Sequence, residues 1–517
     1  MSNNLFSALR AAFPADLEQV AIETADAAPL HYTWRDLERG TAMLANLLDS
    51  LELPAGSRVA VQTEKSVEAL MLYLAVLRVG LVYLPLNTAY QSAEMAYFIG
   101  DAEPAVVVCT GRNFGWVSKL AFSAGTAHVF TLNDDRSGSL LQRAAAHRDQ
   151  HTPAHRDADD LAAILYTSGT TGRSKGAMLT HANLLSNARV LKDCWGWRTP
   201  EQGGDVLIHA LPIFHVHGLF VASHGALLNG SKTIWLNKFD PKTVIARLPE
   251  ATVFMGVPTL YARLLADPGL TRAACAHMRL FISGSAPLLI ETFELFRERS
   301  GHTILERYGM SETAMLTSNP YDTKAGEPNS GRRGGTVGFP LPGVGVRVRG
   351  DAGVPVAAGE IGDIQVSGPS VFKGYWRMPE KTAEEFTADG WFKTGDVGKI
   401  DAQGYITIVG RSKDLIISGG FNVYPAEIES VLNDMAGVSE SAVIGVPHPD
   451  FGEAVVAVIV ARAGSAPDSA AVIAEMKSKI ANFKVPKRVF IVDALPRNAM
   501  GKVQKNLLRE AHQGLFA

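Results

Sequence analysis

Cysteine is almost absent from the chain. Cys109, Cys194 and Cys275 are far apart, odd in number and in no metal-ligand spacing. They offer neither a disulfide framework nor a cysteine zinc site, and buried free thiols in a reducing compartment are expected. A charge excess is missing too. A net charge of −3 provides no basic field for nucleic acid or an anionic membrane, so an anionic cofactor must be held by local groups. No long apolar run occurs. The strongest, residues 69–77, is cut by Arg78 and Gly80 and followed by Pro85, well short of the roughly 20 residues of a membrane span. Residues 1–13 carry one basic group, Arg10, and no extended apolar core, unlike a signal peptide. Aromatic residues are few, and a cytoplasmic enzyme with no nucleic-acid or membrane partner is expected.

What is present is length and glycine. With 517 residues the chain is too long for one ordinary core, so two or more domains are the default. Its 48 glycines fall in short clusters, as tight turns or ligand-cradling loops would require. Short β-branched runs at 58–62, 105–109, 206–210, 233–236, 252–256 and 280–283 alternate with amphipathic stretches such as 66–77 and 291–299. That alternation predicts parallel α/β sheets covered by helices. From about Val337 the runs 344–349, 363–367 and 405–409 lie closer together between Gly, Pro and Asp turns, which predicts an antiparallel, barrel-like subdomain. A boundary is expected near residues 411–413, giving domains 1–412 and 413–517. The second reads as a small α+β domain with helices at 425–435 and 469–482 and strands at 442–445, 455–460 and 488–492. Residues 324–335 read as an exposed loop.

One loop carries recognisable chemistry. An apolar strand at 161–165 runs into Thr167, Ser168, Gly169, Thr170, Thr171, Gly172, Arg173, Ser174, Lys175 and Gly176. Glycines let backbone N–H groups turn toward an anion, and the hydroxyls with Lys175 add donors and charge. The spacing is not that of the nucleotide-hydrolase P-loop. A hydroxyl at most non-glycine positions after a buried strand favours a triphosphate cradle over an ordinary surface turn.

Five further motifs follow in order. They are Tyr308-Gly309-Met310-Ser311-Glu312-Thr313, Trp391-Phe392-Lys393-Thr394-Gly395-Asp396, Gly410-Arg411-Ser412-Lys413-Asp414, Ser418-Gly419-Gly420-Phe421 through Pro425, and Pro496-Arg497-Asn498-Ala499-Met500-Gly501-Lys502. With the loop, this set covers nearly the whole chain and resembles the acyl-adenylate-forming superfamily of acyl- and aryl-coenzyme A synthetases, luciferases and peptide-synthetase adenylation domains. The resemblance implies a large N-terminal domain of parallel α/β sheets with a distorted β-barrel, and a small mobile C-terminal α+β domain. It also implies a two-step reaction in which a carboxylate attacks the α-phosphorus of ATP and the thiol of coenzyme A then displaces AMP.

The resemblance assigns roles residue by residue. Glu312 is expected to hold Mg²⁺, a hard cation suited to carboxylate and phosphate oxygens, with Thr167 and Thr313 as supporting hydroxyls. Tyr308, beside Gly309, offers a flat face to adenine, and Gly284, Ser285, Ala286 and Pro287 form the opposite wall. Asp396 accepts the ribose hydroxyls, with Arg411 beside it. Lys502 bridges the carboxylate and the α-phosphate in the first step. Lys413 is the hinge of a domain rotation, which brings Gly419 and Gly420 past the pantetheine arm. His215 matches the residue that gates the thiol's tunnel, whereas His217 reads as a core histidine. Lys502 is also a candidate target of a regulatory lysine acetyltransferase and deacylase, because loss of its charge would stop the first step. A monomer or weak homo-oligomer is expected.

The acid pocket should be lined by residues 213–220, 255–263, 281–285 and 310–317, including Met310. Arg263 and Arg279 lie in or beside those stretches. An arginine facing an apolar pocket is costly unless a carboxylate meets it, which suggests a short dicarboxylic acid. Residues 161–166, 211–220, 256–263, 278–288 and 372–381 resemble malonyl-coenzyme A synthetases. In that group an arginine and a serine matching Arg263 and Ser285 hold the distal carboxylate, so malonate or methylmalonate is expected. The nearest alternative is a 4-coumarate-like or medium-chain acyl-coenzyme A synthetase, with a roomy pocket and no charged anchor.

Overall fold

In the computed structural model, which describes residues 3–167, 174–321, 331–350, 353–418, 421–498 and 501–516, the β-branched runs are strands. The fold is mixed α/β. The chain divides into two compact units: Met1–Gly334 with Gly338–Gly345 and Ser367–Glu385, and Gly335–Val337 with Val346–Val366 and Phe386–Ala517. The expected 412/413 boundary falls inside the second unit.

The first unit holds two sheets. In the nine-stranded sheet the strands Leu305–Met310, Leu280–Ser283, Val253–Gly256, Val206–His209, Lys232–Trp235 and Val20–Thr24 are neighbours in that order and run parallel. Antiparallel strands flank them, Ala314–Ser318 and Phe339–Pro340 at one edge and His31–Thr33 at the other. The seven-stranded sheet runs Gly374–Tyr375, Lys175–Thr180, Leu161–Thr167, Val82–Pro85, Arg58–Gln62, Val106–Cys109, His128–Thr131. Its last five strands are parallel and its first two antiparallel. Parallel strands need cover on both faces, so their runs are buried nearly throughout.

The longest apolar run is the helix Val67–Val79, buried along almost its whole length. Ser66 caps it by accepting from Ala69 N–H, and Gly80, with φ of 78°, ends it in the left-handed conformation that glycine adopts without steric cost. Among the described residues no helix is long and apolar enough to cross a membrane. Just before this helix, the buried Lys65 donates to the carbonyls of His209 (2.8 Å) and Leu236 (2.6 Å). The end of one sheet's strand is thereby tied to two strand ends of the other. Cys109 and Cys275 are buried free thiols, as expected, but Cys194 is only half-buried.

Almost wholly in the second unit, the texture expected after Val337 forms a four-stranded sheet of Gly345–Arg349, Gly362–Ser367, Phe392–Ile400 and Ile406–Arg411, whose last three strands pair antiparallel. A five-stranded sheet follows, built on the long hairpin Val438–His448 and Gly452–Ala461 with Arg488–Val492 parallel to it. Alternate residues of the hairpin enter different cores. Val443, Val455, Ala457 and Ile459 pack with Ile428, Leu432 and Met476, while Ala442, Ile444, Val456 and Val458 pack with Leu495 and Leu508. Both faces are covered, so the hairpin extends well beyond the short apolar centres visible in the sequence.

Candidate active site

Strands Leu161–Thr167 and Lys175–Thr180 pair antiparallel with Thr167 opposite Lys175, and Thr167 Oγ1 lies 3.4 Å from the Lys175 carbonyl. Ser168, Gly169, Thr170, Thr171 and Gly172 lie outside the described residues. Lys175 Nζ sits 3.4 Å from Glu385 Oε1 and over the Tyr375 ring, 4.3 Å from its centroid. The Tyr375 hydroxyl donates to Glu312 Oε1 at 3.1 Å, and the Glu312 carbonyl accepts from Phe372 N–H at 2.8 Å. Thr167, Lys175 and Glu312 are thus brought into one cluster through Tyr375, a residue for which the sequence suggested no role. Glu312 is only 6% exposed. A carboxylate beside a hydroxyl and a lysine is a donor set that suits a magnesium–phosphate complex, in which most ligands come from phosphate and water.

Glu312 and Thr313 lie in the turn between strands Leu305–Met310 and Ala314–Ser318. Met310 N–H donates to Thr313 Oγ1 at 3.3 Å, and Asn187 Nδ2 donates to the Met315 carbonyl at 2.7 Å. A Cβ on Gly309 would lie 2.0 Å from the Ala314 carbonyl oxygen, so the motif needs glycine there for the strands to close. Tyr308, next to it, is opposite Thr317. The segment Gly284-Ser285-Ala286-Pro287 leaves the end of strand Leu280–Ser283, and Ser285 is held at φ 73°, a conformation that costs a non-glycine residue of order 1–3 kcal/mol. The segment is braced from behind, where Leu288 N–H donates to Glu306 Oε1 at 3.2 Å. Burial pushes the Glu306 carboxyl up to about 8.

Two histidines lie near this segment. His215 Nδ1 accepts from His217 N–H at 3.4 Å. His217 opens a π-helical stretch, His217–Ser223, a distortion that often marks functional positions. It is buried, as a core residue would be, yet Nδ1 lies 3.3 Å from Ser285 Oγ and Nε2 has no hydrogen-bond partner among the described residues. Burial first, and the Arg307 charge second, push its imidazole well below the usual value.

Arg279 does not face an acid pocket. Its Nε and Nη2 donate to Asp205 Oδ1 and Oδ2 at 2.7 and 2.5 Å, and Nη1 donates to the Trp195 carbonyl at 3.0 Å. The sequence expectation is corrected here: Asp205, whose side chain is 0% exposed, already supplies the carboxylate. Arg263 is exposed on the helix Pro258–Leu265, with its guanidinium 4.7 Å from the centre of the Phe239 ring. A third arginine is buried more deeply than either. Arg307 is 2% exposed, and its Nε and Nη2 have no partner among the described residues. The register Ile282↔Leu305, Ser283↔Glu306 brings it beside Gly284, and the buried Ser283 Oγ is likewise without a partner. The signal was available: an arginine within the apolar run of a central strand, directly before Tyr308.

The remaining candidates lie in the second unit. Asp396 pairs with Arg411, Oδ1 to Nε 2.6 Å, and Arg411 Nη1 donates to the Thr394 carbonyl at 3.3 Å. Asp396 is 4% exposed, opposite Arg411 in the hairpin. Lys413 is exposed in the turn Ser412–Asp414. Lys502 is exposed in a tight turn where its N–H donates to Asn498 Oδ1 at 3.0 Å and its carbonyl accepts from Asn498 N–H at 2.9 Å. Gly419 and Gly420 fall outside the described residues.

This constellation is that of an adenylate-forming enzyme, and the chain belongs to the AMP-binding enzyme family, which it matches over residues 14–376, with the AMP-binding enzyme C-terminal domain over 427–502. It is an AMP-forming acid–coenzyme A ligase, most like the malonyl-coenzyme A synthetases. Its fold is similar to that of ATP-bound MatB from Rhodopseudomonas palustris, with a TM-score of 0.95 and 54% identity over 100% of both chains. It is 35% identical to the malonate–CoA ligase of Arabidopsis thaliana, covering 88% of this chain and 78% of the relative. A feruloyl-CoA synthase of Amycolatopsis is 36% identical, covering 92% of this chain and 93% of the relative.

Proposed function

We propose that the acid is malonate or methylmalonate, ligated to coenzyme A through an acyl-adenylate to give malonyl-coenzyme A (or its methyl derivative), AMP and pyrophosphate. The observation that carries this reading is Arg307. A guanidinium withdrawn from water without a partner is strongly unfavourable, and its planar fork suits a carboxylate. A short dicarboxylate would supply that partner with its distal end, with Ser285 and His217 as further polar contacts and Arg263 as an outer cation. The malonate–CoA ligase and MatB similarities agree with this choice, whereas the feruloyl-CoA synthase is as similar in sequence and would need no such charge.

The remaining roles follow the chemistry. Lys175 and the Thr167 loop take the β- and γ-phosphates that leave as pyrophosphate. Glu312 and Thr167 would hold Mg²⁺, which when bound neutralises phosphate charge. Tyr308 and the Gly284–Pro287 segment enclose adenine, and Asp396 takes the ribose hydroxyls. Lys502 stabilises charge between carboxylate and α-phosphate as the acyl–phosphate bond forms and the bond to pyrophosphate breaks. In the second half-reaction, with domains 1–412 and 413–517 rotated about Lys413 and His215 moved aside, the thiol forms the thioester, AMP leaves, and the thiol proton passes to solvent. Pyrophosphate release measured across malonate, methylmalonate, succinate, butyrate and ferulate tests the reading. A preference for ferulate or butyrate overturns it.

A further inference from the structure

Two arginines of the first unit can be compared directly. Arg279 uses one edge of its guanidinium, Nε and Nη2, to hold both oxygens of Asp205. Arg307 has the same two nitrogens without a partner among the described residues. Its third nitrogen, Nη1, lies against Gly284. A Cβ on Gly284 would stand 2.4 Å from Nη1, 2.5 Å from Cζ and 2.9 Å from Nε, all well inside van der Waals contact. The guanidinium thus occupies space that any side chain at position 284 would take.

The kind of clash matters. At Gly309 and Gly218 an added Cβ would meet backbone carbonyl oxygens at 2.0 Å, those of Ala314 and Pro212, so a substitution there deforms the chain. At Gly284 the obstructed atoms are the far end of a flexible side chain. Alanine at 284 would move the Arg307 head and leave the strands in place. The three distances put that Cβ over the flat face of the guanidinium, so the bare backbone fixes the plane in which Nε–H and Nη2–H point.

We propose that Gly284 is a specificity-determining position: its missing Cβ forms a slot that seats the Arg307 guanidinium and presents the Nε/Nη2 edge to the distal carboxylate of a short dicarboxylic acid. This deepens the malonate reading and rests on it. A flat head whose face lies against bare backbone fits such a slot, whereas a tetrahedral ammonium cannot offer two parallel donors from it. Gly284 acts through Arg307, so it is a positioning residue.

The test is a double-mutant cycle on the full chain. The readout is selectivity, the ratio of kcat/KM for malonate to that for 3-methylbutyrate, an isostere with the distal carboxylate replaced by an isopropyl group. Any effect of Gly284→Ala on nucleotide binding divides out of this ratio. The ratio should fall about 30-fold in Gly284→Ala and about 100-fold in Arg307→Leu, and the double variant should match Arg307→Leu within about threefold. Losses that multiply in the double variant, or a ratio unmoved by Gly284→Ala, overturn the slot while leaving the malonate reading intact. A wild-type preference for 3-methylbutyrate overturns both. If Gly284→Ala fails to fold, the double variant, which lacks the clash, must fold. Its failure shows that the obstructing group is not Arg307 and overturns the proposal.

Discussion

Replacing Arg307 with leucine should move stability and activity in opposite directions. The arginine is 2% exposed, with two nitrogens that have no partner among the described residues, and burial pushes its pKa down to about 9, which leaves it cationic at neutral pH. Exchanging a buried, uncompensated charge for an apolar side chain of similar length typically gains about 1–4 kcal/mol. A gain of about 1–2 kcal/mol, in the lower part of that range, is expected for the acid-free protein. The loss on substrate should be larger. Removing one partner of a buried charge-assisted pair costs about 2–5 kcal/mol, and Ser285 and His217 remain, so about 3 kcal/mol is expected, roughly a 150-fold fall in malonate kcat/KM. The same change should alter 3-methylbutyrate kcat/KM by less than about fivefold. Urea denaturation with and without malonate, beside pyrophosphate-release kinetics, measures all of these. Saturating malonate should stabilise the wild type through binding linkage and leave Arg307→Leu unmoved. If the variant is less stable without malonate, or loses both acids equally, Arg307 is a structural arginine and not the acid anchor.

Three further outcomes are expected. Asp205→Ala strands the part-buried Arg279, whose fork it fills at 2.5 and 2.7 Å, and should destabilise the protein by about 2–4 kcal/mol without changing acid selectivity. A shift in the malonate to 3-methylbutyrate ratio would return Arg279 to the acid site. Glu306→Gln should abolish a pH dependence. The carboxyl is raised from 4.5 to about 8 on folding, so the folded state binds the extra proton. Its contribution is complete below pH 4.5 and is lost as pH rises through 8. The wild type should lose on the order of 2–4 kcal/mol relative to the glutamine variant between pH 5 and 9, and parallel urea curves across that range would contradict the assignment. Lys502→Ala should abolish pyrophosphate release yet retain thioester formation from synthetic malonyl-adenylate. Equal loss of both half-reactions, followed by chromatography of the thioester, would remove the division of labour proposed for Lys502.

Much of the fold was legible because burial imposes simple patterns. The runs at 58–62 and 280–283 are strands to the residue, since parallel strands covered on both faces are apolar without interruption. The strand expected at 442–445 is Val438–His448, because its ends carry Ser, Glu and Pro that a two-stranded ladder tolerates and an apolar search discards. Candidate residues were suggested where a motif sets a particular residue at a particular spacing, and the structure brings three of them, Thr167, Lys175 and Glu312, together. It was not legible where the partner is distant in sequence. Arg279 and Asp205 are 74 residues apart, and no local pattern announces that one answers the other. Tyr375 reaches Glu312 across 63 residues. His217 looked like a core histidine and is buried like one, and only the approach of Ser285, 68 residues away, gives it a role.

Arg307 and Glu306 show why the acid pocket was the hardest part to read. They are adjacent on one strand, and each is a buried ionisable group incompletely satisfied within the protein. Alternation along a strand sends neighbours to opposite faces, so the two can serve different ends. Glu306 braces the Gly284–Pro287 segment through Leu288, while Arg307 lies against Gly284 on the side of Ser285 and His217. A chain selected for stability alone would replace both with apolar residues. Arginine in the middle of a central strand is a local violation of the pattern that makes the strand, and such violations concentrate where a ligand completes the structure. Arg263 and Arg279 each have an ordinary explanation in hand, a solvated ring-stacked surface position and an internal ion pair. Arg307 has none among the described residues, which is the reason the acid anchor is proposed there.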